Sequence, residues 1–177
     1  LQSNMLINIS NLNFTLQLSE AKLFIAGTKI NKLKNIKFSI VTKNKIYKVY
    51  KPWGYELWFT GKKNKNFSFK KIFIKPGCRT SLQYHNKKEE TNFLYSGRIY
   101  LHYSIGKFNN HQNYNIKKKI LSPYSIIDIK PKYIHRVETL SEVELYEVST
   151  PHLDDVIRLD DDTNRKSGKI VSEHKKK

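Results

Sequence analysis

The amino-acid sequence predicts an all-β protein with one closed sheet or sandwich. Short segments of alternating apolar and polar residues recur along the chain, as in half-buried strands. Gly and Pro separate these segments roughly every 8 to 12 residues, and the helical period is nearly absent. At 177 residues, the chain is long enough for one well-filled core and too short for two large domains. We therefore expect a single domain.

The clearest strand signals follow Lys51. We predict strands at residues 55–60, 67–74, 91–96, 98–105, 114–121, 125–129, 134–140 and 143–149. Closing such strands into a barrel removes the exposed sheet edges and leaves a mouth in which a ligand can bind.

The two ends of the chain differ from this central region. Residues 1–4 precede Met5, the single methionine, and we interpret them as a tag remnant. Residues 5–50 form an extension with further alternating segments, at 6–18 and 36–50. We expect them to add strands to the edge of the barrel or to form an arm that reaches a partner subunit. Residues 166–177 lack periodicity and end in lysines, which predicts a disordered basic tail.

The formal net charge of +18 raises the question of nucleic-acid binding. The excess is mainly lysine, scattered in doublets such as Lys62-Lys63, in a chain that is also rich in Ile and Asn. This composition favours genomic codon bias and solubility, and no recognition motif is present, so we do not expect a nucleic-acid partner.

The rest of the sequence predicts the cellular location of the protein and its cysteine chemistry. No apolar run approaches the roughly 18 residues of a membrane span, and no signal peptide is recognisable. We expect a soluble cytoplasmic protein without a membrane partner. The single cysteine, Cys78, excludes an internal disulfide and a cysteine-rich zinc site.

A metal-site pattern lies in the middle of the chain. Gln83 and His85 are two residues apart, so on a strand both side chains leave the same face. Residues 86–89 predict a turn, after which Glu90 opens a second strand, and His135 follows on a later one. One amide oxygen, two imidazoles and one carboxylate from three neighbouring strands can hold zinc, iron, manganese or nickel with one position open. We predict these four residues as metal ligands, with the alternative that Gln83 orients His85 without binding the metal itself.

The same residues resemble a known family. The series Gly77, His85, Glu90 and Gly97, followed by Pro123 to His135, resembles the two metal-binding motifs of the cupin superfamily. Five blocks resemble one subfamily, namely KPWGYELW at 51–58, SLQYH at 81–85, HRVE at 135–138, YEVS at 146–149 and DDVIRLDDDTNR at 154–165. That subfamily is the isomerase domain of the type II mannose-6-phosphate isomerase and mannose-1-phosphate guanylyltransferase proteins. The resemblance spans residues 51–165 and implies a cupin (double-stranded β-helix, or jelly-roll) barrel.

The resemblance also implies a chemistry. It implies one divalent metal ion and aldose–ketose isomerisation of a sugar phosphate. Lys87 stands where cupins commonly carry a second histidine, and a protonated lysine has no lone pair to give. Gln83 replaces that ligand, and the resulting set is similar to the zinc set of the type I mannose-6-phosphate isomerases. Zinc is the expected ion, with iron, manganese, nickel and cobalt left open.

Three further residues are candidates for catalytic roles. Lys88 stands where the isomerase families often carry a basic residue, which would hold a phosphate or a sugar oxygen. Arg158 matches a family arginine, and its forked guanidinium suits a phosphate or an enediolate oxygen. The alternative for Arg158 is a salt bridge to a nearby aspartate, Asp154, Asp155 or Asp161. Glu147 alternates with Val143 and Leu145, so it faces the interior and would carry a proton.

Two other functions stay open at this point. The first is a different cupin enzyme, such as an oxygenase, a lyase or a sugar epimerase, because a fold does not fix a function. The second is a carbohydrate-binding or regulatory cupin with a weak metal site, which Lys87 would favour. Family habit and the extra strands before Lys51 lead us to expect a homodimer.

Overall fold

Strands account for most of the regular structure in the computed structural model, which describes residues 24–25, 28–29, 46–60, 64–110 and 114–174. The chain divides into two compact units, residues 1–40 and 41–177. In the first unit, β1 (Phe24–Ile25) pairs antiparallel with β2 (Thr28–Lys29). The second unit contains the remaining described strands, which are β3 (Tyr47–Lys51), β4 (Gly54–Trp58), β5 (Ser68–Ile74), β6 (Leu82–Tyr84), β7 (Glu90–Ser96), β8 (Ile99–Lys107), β9 (Ile116–Leu121), β10 (Ile126–Ile129), β11 (Tyr133–Thr139), β12 (Val143–Ser149) and β13 (Ile157–Asp160).

The strands of the second unit form two antiparallel sheets. One sheet has the order β10-β7-β12-β5-β4-β3 and the other has the order β13-β6-β11-β8-β9. This all-β architecture confirms the predicted fold class, and the eight predicted strands are present to within two residues at each end.

The register of the six-stranded sheet separates an apolar end of the interior from a polar end. Along β5, the inward positions read Ser68, Lys70, Ile72 and Ile74. The pairing of β12 with β5 places Glu147 opposite Lys70 and Leu145 opposite Ile72. The pairing of β12 with β7 places Ser149 opposite Glu90, Glu147 opposite Asn92 and Leu145 opposite Leu94. Polar residues therefore collect at one end of three adjacent strands.

The apolar end is the hydrophobic core. Its buried members come from both sheets and are Trp53, Ile72, Ile74, Leu94, Ile99, Leu101, Ile127, Ile129, Val143 and Leu145. Their burial supplies the main driving force for closing the two sheets on each other.

A glycine permits the turn between β7 and β8. Gly97 has a φ of 85°, in the left-handed region, and a Cβ atom built there would lie 2.1 Å from the carbonyl oxygen of Glu142. Any other residue would push β7 away from the turn that precedes β12.

Two expected boundaries need correction. Strand β3 belongs to the six-stranded sheet, where Val49 pairs with Glu56 of β4, so the barrel begins before residue 51. The predicted disordered tail is wrong for residues 166–174, which include a 3-10 helical turn at Val171–His174. Strand β13 was not foreseen. The tag remnant, the alternating segment at 6–18 and residues 175–177 lie outside the described residues.

The described residues contain no apolar helix of the length that a bilayer crossing requires.

Candidate metal centre

The four predicted ligands come from both sheets. Gln83 lies on β6 and His85 follows that strand, while His135 on β11 is the register partner of Gln83. Glu90 begins β7, as predicted, but β7 belongs to the other sheet. The expectation of three neighbouring strands is therefore wrong, because Glu90 approaches the histidines from across the interior.

Three of these side chains converge on one point. Nε2 of His85 lies 3.5 Å from Oε2 of Glu90, and Nε2 of His135 lies 3.4 Å from Oε1 of the same carboxylate. The three candidate ligand atoms all lie within 4.8 Å of one another. All three residues are buried, at 1 %, 5 % and 5 % exposure for His85, Glu90 and His135.

Backbone carbonyls orient both imidazoles. Nδ1 of His85 contacts the carbonyl oxygen of Asp155, and Nδ1 of His135 lies 3.1 Å from the carbonyl oxygen of Tyr133. Because a carbonyl only accepts hydrogen bonds, each Nδ1 carries a proton, which in a neutral ring leaves the lone pair on Nε2. Burial lowers the pKa of His135 to about 4, so this ring is neutral at pH 7.

The convergence of these lone pairs fits a cation. Nε2 of His85 is buried without a hydrogen-bond partner, and it faces a carboxylate. Two ligands bound tetrahedrally to zinc at about 2.1 Å lie about 3.4 Å apart, close to the measured 3.4 and 3.5 Å. Two imidazoles and one carboxylate suit zinc, iron or manganese.

Gln83 borders this cluster with its amide nitrogen. Nε2 of Gln83 lies 3.4 Å from Nε2 of His135, and Oε1 accepts a 2.6 Å hydrogen bond from the Ser81 hydroxyl. An amide nitrogen has no lone pair for a metal. Direct ligation by Gln83 therefore requires a rotation of the amide that turns Oε1 towards the histidines.

Lys88 and Glu147 lie next to the cluster and pair with each other. The Lys88 ammonium contacts Oε2 of Glu90 and lies 2.8 Å from Oε1 of Glu147. Burial lowers the pKa of Lys88, but Glu147 and Glu90 outweigh it, so the net pKa is raised. Burial raises the pKa of Glu147, yet Lys70 and Lys88 bring it below its usual value. At pH 7 both groups are charged and already partnered.

The Lys88 and Glu147 pair continues into a buried charge row along the six-stranded sheet. Lys70 lies 3.2 Å from Glu147 and 3.7 Å from Glu56, and Lys51 lies 3.7 Å from the other oxygen of Glu56. The row therefore alternates in sign from Lys51 through Glu56, Lys70, Glu147 and Lys88 to Glu90. Trp58 donates a 2.7 Å hydrogen bond to Glu56.

Sequence reasoning missed Lys70 and Glu56, although a signal was present. Lys70 shares the inward strand face with Ile72 and Ile74, because each lies two residues from the next. Glu56 shares the inward face with Trp58 for the same reason. Applying the period of two strictly would have placed both charges inside.

Asp155 was also missed as part of the site. Its carboxylate accepts hydrogen bonds from the backbone N–H groups of Asn86, Lys87 and Lys88, at 3.0, 2.6 and 2.9 Å. This clamps the turn between His85 and Glu90. The Lys87 side chain itself is exposed, so it does not enter the cluster.

Arg158 does not make the salt bridge to Asp154, Asp155 or Asp161 that was its alternative role. Its Nη1 donates to the carbonyl oxygens of Lys166 and Gly168, and its Nε is buried without a partner. Asp161 pairs instead with Arg165. Among the described residues, no carboxylate lies within salt-bridge distance of Arg158, although it lines the same cavity as the metal cluster.

That cavity has a volume of about 110 Å³. The metal cluster, the buried charge row, Arg158, Trp53 and Trp58 line it, together with residues of the C-terminal segment. The two tryptophans are buried, at 7 % and 6 % exposure. They wall the cavity, in keeping with the packing role that is usual for large aromatic residues.

Solved structures share this fold. One is the capsular polysaccharide assembling protein CapF from Staphylococcus aureus, with a TM-score of 0.55 and 17 % identity over 66 % of this chain and 32 % of that one. Another is an oxalate decarboxylase from Lactobacillus farciminis in complex with formate, with a TM-score of 0.53 and 17 % identity over 66 % and 34 %. Oxalate decarboxylase from Bacillus subtilis has a TM-score of 0.55 and 13 % identity over 69 % and 33 %. The chain thus spans about a third of each.

No curated protein matches the chain. The family described as "Mannose-6-phosphate isomerase C-terminal" matches residues 40–161. This range takes in strands β3 to β13 and all four predicted ligands. With the two-sheet fold and its cupin neighbours, the match shows that the chain belongs to the mannose-6-phosphate isomerase C-terminal family of cupin domains.

Proposed function

We propose that the protein is a metal-dependent enzyme that interconverts an aldose phosphate and a ketose phosphate, of the mannose-6-phosphate isomerase type. The carrying observation is the convergence of lone pairs from His85, Glu90 and His135 inside a buried cavity. The family match supports the sugar-phosphate substrate class.

The residues of the cavity divide into three roles in this proposal. His85, Glu90 and His135 would hold the ion, with Gln83 beside them as a fourth ligand after rotation of its amide. When bound, the ion would supply Lewis-acid polarisation of the C1 or C2 oxygen of the sugar, which acidifies the neighbouring C–H. Lys88 positions Glu90 through its ammonium contact.

Glu147 is the proposed proton carrier and Arg158 the proposed phosphate group partner. Lys70 and Lys88 keep Glu147 ionised at pH 7, so that it can accept a proton from the sugar. Arg158 has no carboxylate partner within the described part of the chain, and its buried Nε is an unused donor. A guanidinium of this kind suits a phosphate. The homodimer, the cytoplasmic location and the metal identity stay predictions.

A second candidate is a metal-dependent lyase or oxygenase acting on a small carboxylic acid. The volume of the cavity, about 110 Å³, favours it, because an engineered cavity of about 150 Å³ binds ligands of the size of benzene or xenon. Solved neighbours include oxalate decarboxylase with formate. The carbohydrate-binding alternative with a weak metal site stays a prediction, since the Lys87 side chain lies exposed and supplies no ligand.

The test is an assay of the purified chain after loading with zinc, manganese, cobalt or iron(II). We expect mannose 6-phosphate and fructose 6-phosphate to interconvert with at least one ion, and the activity to disappear on chelation. Absence of interconversion with all four ions, in protein that retains stoichiometric metal, would rule out the isomerase. Consumption of oxalate or of oxygen would favour the second candidate.

A further inference from the structure

The C-terminal segment Asp161–His174, here called the strap, forms one wall of the cavity. Its lining residues are Arg165, Gly168, Lys169, Ile170 and His174. Most of the other lining residues lie on strands held in hydrogen-bonded ladders, and Leu153, Asp154 and Val156 come from the loop before β13. Displacing a strand breaks a ladder and exposes core, whereas the strap belongs to neither sheet.

Polar contacts, with little apolar burial, hold the strap in place. No apolar residue of the segment 161–174 is buried, whereas the side chains of Asp161, Arg165 and Glu173 are only 5 %, 9 % and 8 % exposed. Glu173 joins the strap to the barrel, with Oε2 2.7 Å from Lys51 and Oε1 3.0 Å from Arg165. The Tyr47 hydroxyl lies 3.0 Å from Nδ1 of His174, and the His174 ring meets Trp58 edge-on. Segments held by few apolar contacts open at lower free energy than the strands around them.

The strap also accepts hydrogen bonds from the guanidinium group of Arg158. Nη1 donates to the carbonyl oxygens of Lys166 and Gly168, and Gly168 N donates to Val156 at 2.7 Å. By contrast, the buried-row lysines Lys70 and Lys88 pair with carboxylates. Moving the strap would therefore release hydrogen-bond donors of Arg158 towards the cavity.

We propose that the strap is a gate that determines ligand size, with Glu173 as its latch. Closed, it leaves about 110 Å³, less than an engineered cavity of about 150 Å³ that binds benzene. Open, it enlarges the cavity and exposes Arg158 to the phosphate of the incoming sugar. The identity of that ligand depends on the function proposed above, whereas the opening itself does not.

The first test uses hydrogen exchange on the unaltered protein. We expect the amide of Gly168, whose acceptor Val156 lies outside the strap, to exchange at least about a hundredfold faster than those of β12, through an opening that leaves the barrel folded. Equal exchange rates in the strap and in β12 would mean that the strap leaves only on global unfolding, which would overturn the proposal.

The second test uses the two tryptophans of the chain, Trp53 and Trp58, which both line the cavity. Replacing Glu173→Gln should raise their quenching by acrylamide about twofold or more. In this variant Lys51 still pairs with Glu56, and Arg165 still pairs with Asp161. Neither cation is therefore left without a carboxylate partner. The matched control is Glu144→Gln, which removes a carboxylate paired with Lys71 on the outward face of the sheet.

The outcomes separate the gate from the proposed function. Faster quenching in Glu173→Gln but not in Glu144→Gln, with unchanged circular dichroism, supports the gate whether or not the isomerase assay succeeds. Unchanged quenching in a folded Glu173→Gln protein removes Glu173 as the latch. If that variant does not fold, the exchange measurement on the unaltered chain still decides.

Discussion

At the scale of single residues, the site depends on which ring nitrogen of each histidine faces the cavity. The carbonyl groups of Asp155 and Tyr133 fix the Nδ1 protons of His85 and His135, so both Nε2 lone pairs face Glu90. The Lys88 ammonium contacts the same carboxylate, so Glu90 is paired with a cation even without a metal ion. A bound metal ion would bring a second positive charge to the cluster, and Glu90 would be its anionic ligand.

Replacing Glu90→Gln should therefore abolish metal binding. The change removes the carboxylate shared by both histidines while keeping the side-chain size. Losing an outer partner of a metal site already costs 10- to 100-fold in affinity, so loss of a ligand should weaken binding by more than about a hundredfold. Titration calorimetry with zinc measures the change.

The neighbouring Glu89→Gln is the matched control for that substitution. Glu89 is exposed and pairs with Lys130 outside the cluster, so this variant should bind zinc as the unaltered chain does. Equal affinities of the Glu89 and Glu90 variants would contradict the proposed centre.

At the scale of elements, the turn between β6 and β7 sets the distance between His85 and Glu90. These two strands belong to different sheets, so no ladder connects them. The Asp155 carboxylate replaces the missing ladder by accepting three consecutive N–H groups of the turn. The segment before β13 thereby holds the ligands of β6 and β7 in place.

Replacing Asp155→Ala should loosen this turn without unfolding the barrel. We expect the amides of Asn86, Lys87 and Lys88 to exchange at least about tenfold faster, because each loses its acceptor. The backbone carbonyl that orients His85 remains. Asp154→Ala, which removes an exposed carboxylate one residue earlier, should leave the rates unchanged. Unchanged protection in the Asp155 variant would show that the turn does not need the clamp.

Strand prediction succeeded where the alternation of residues is local. The segments 91–96 and 143–149 carry their period of two in the sequence itself, so β7, β12 and the inward direction of Glu147 were predictable. The partners of Lys88 were not predictable, because its contact with Glu147 depends on how β7 pairs with β12, and these strands are distant in sequence. The alternation in β13 is too short to be recognised in the sequence. Asp155 was missed because it contacts backbone groups 67 to 69 residues away in the chain.

At the scale of the whole molecule, charge is arranged differently outside and inside. The chain carries +18 overall, yet the buried charge row from Lys51 to Glu90 alternates in sign and contains three lysines and three glutamates. The positive field belongs to the surface and can attract an anionic substrate over several ångströms. Inside, each buried lysine needs its carboxylates, because an unpaired buried charge is strongly destabilising.

This dependence makes the stability of the whole barrel sensitive to acid through Glu56. Burial raises the pKa of Glu56, but Lys70 and Lys51, with the hydrogen bond from Trp58, outweigh it and lower the pKa to about 2 from 4.5. Between these values the unfolded chain binds more protons, so the stabilisation is complete above pH 4.5 and is lost as the pH falls towards 2. The whole shift corresponds to about 3 kcal/mol.

Urea unfolding at pH 6 and pH 3 measures this contribution against Glu56→Gln, which cannot titrate at that position. The unaltered chain should lose about 2 kcal/mol more than this variant between the two pH values, since part of the shift lies below pH 3. The variant should also be less stable at pH 6, because Lys70 and Lys51 each lose one carboxylate. Glu142→Gln, an exposed change at the turn before β12, should follow the unaltered chain at both pH values. If the Glu56 and Glu142 variants lost stability in parallel on acidification, the acid sensitivity would have to arise elsewhere than in the buried charge row.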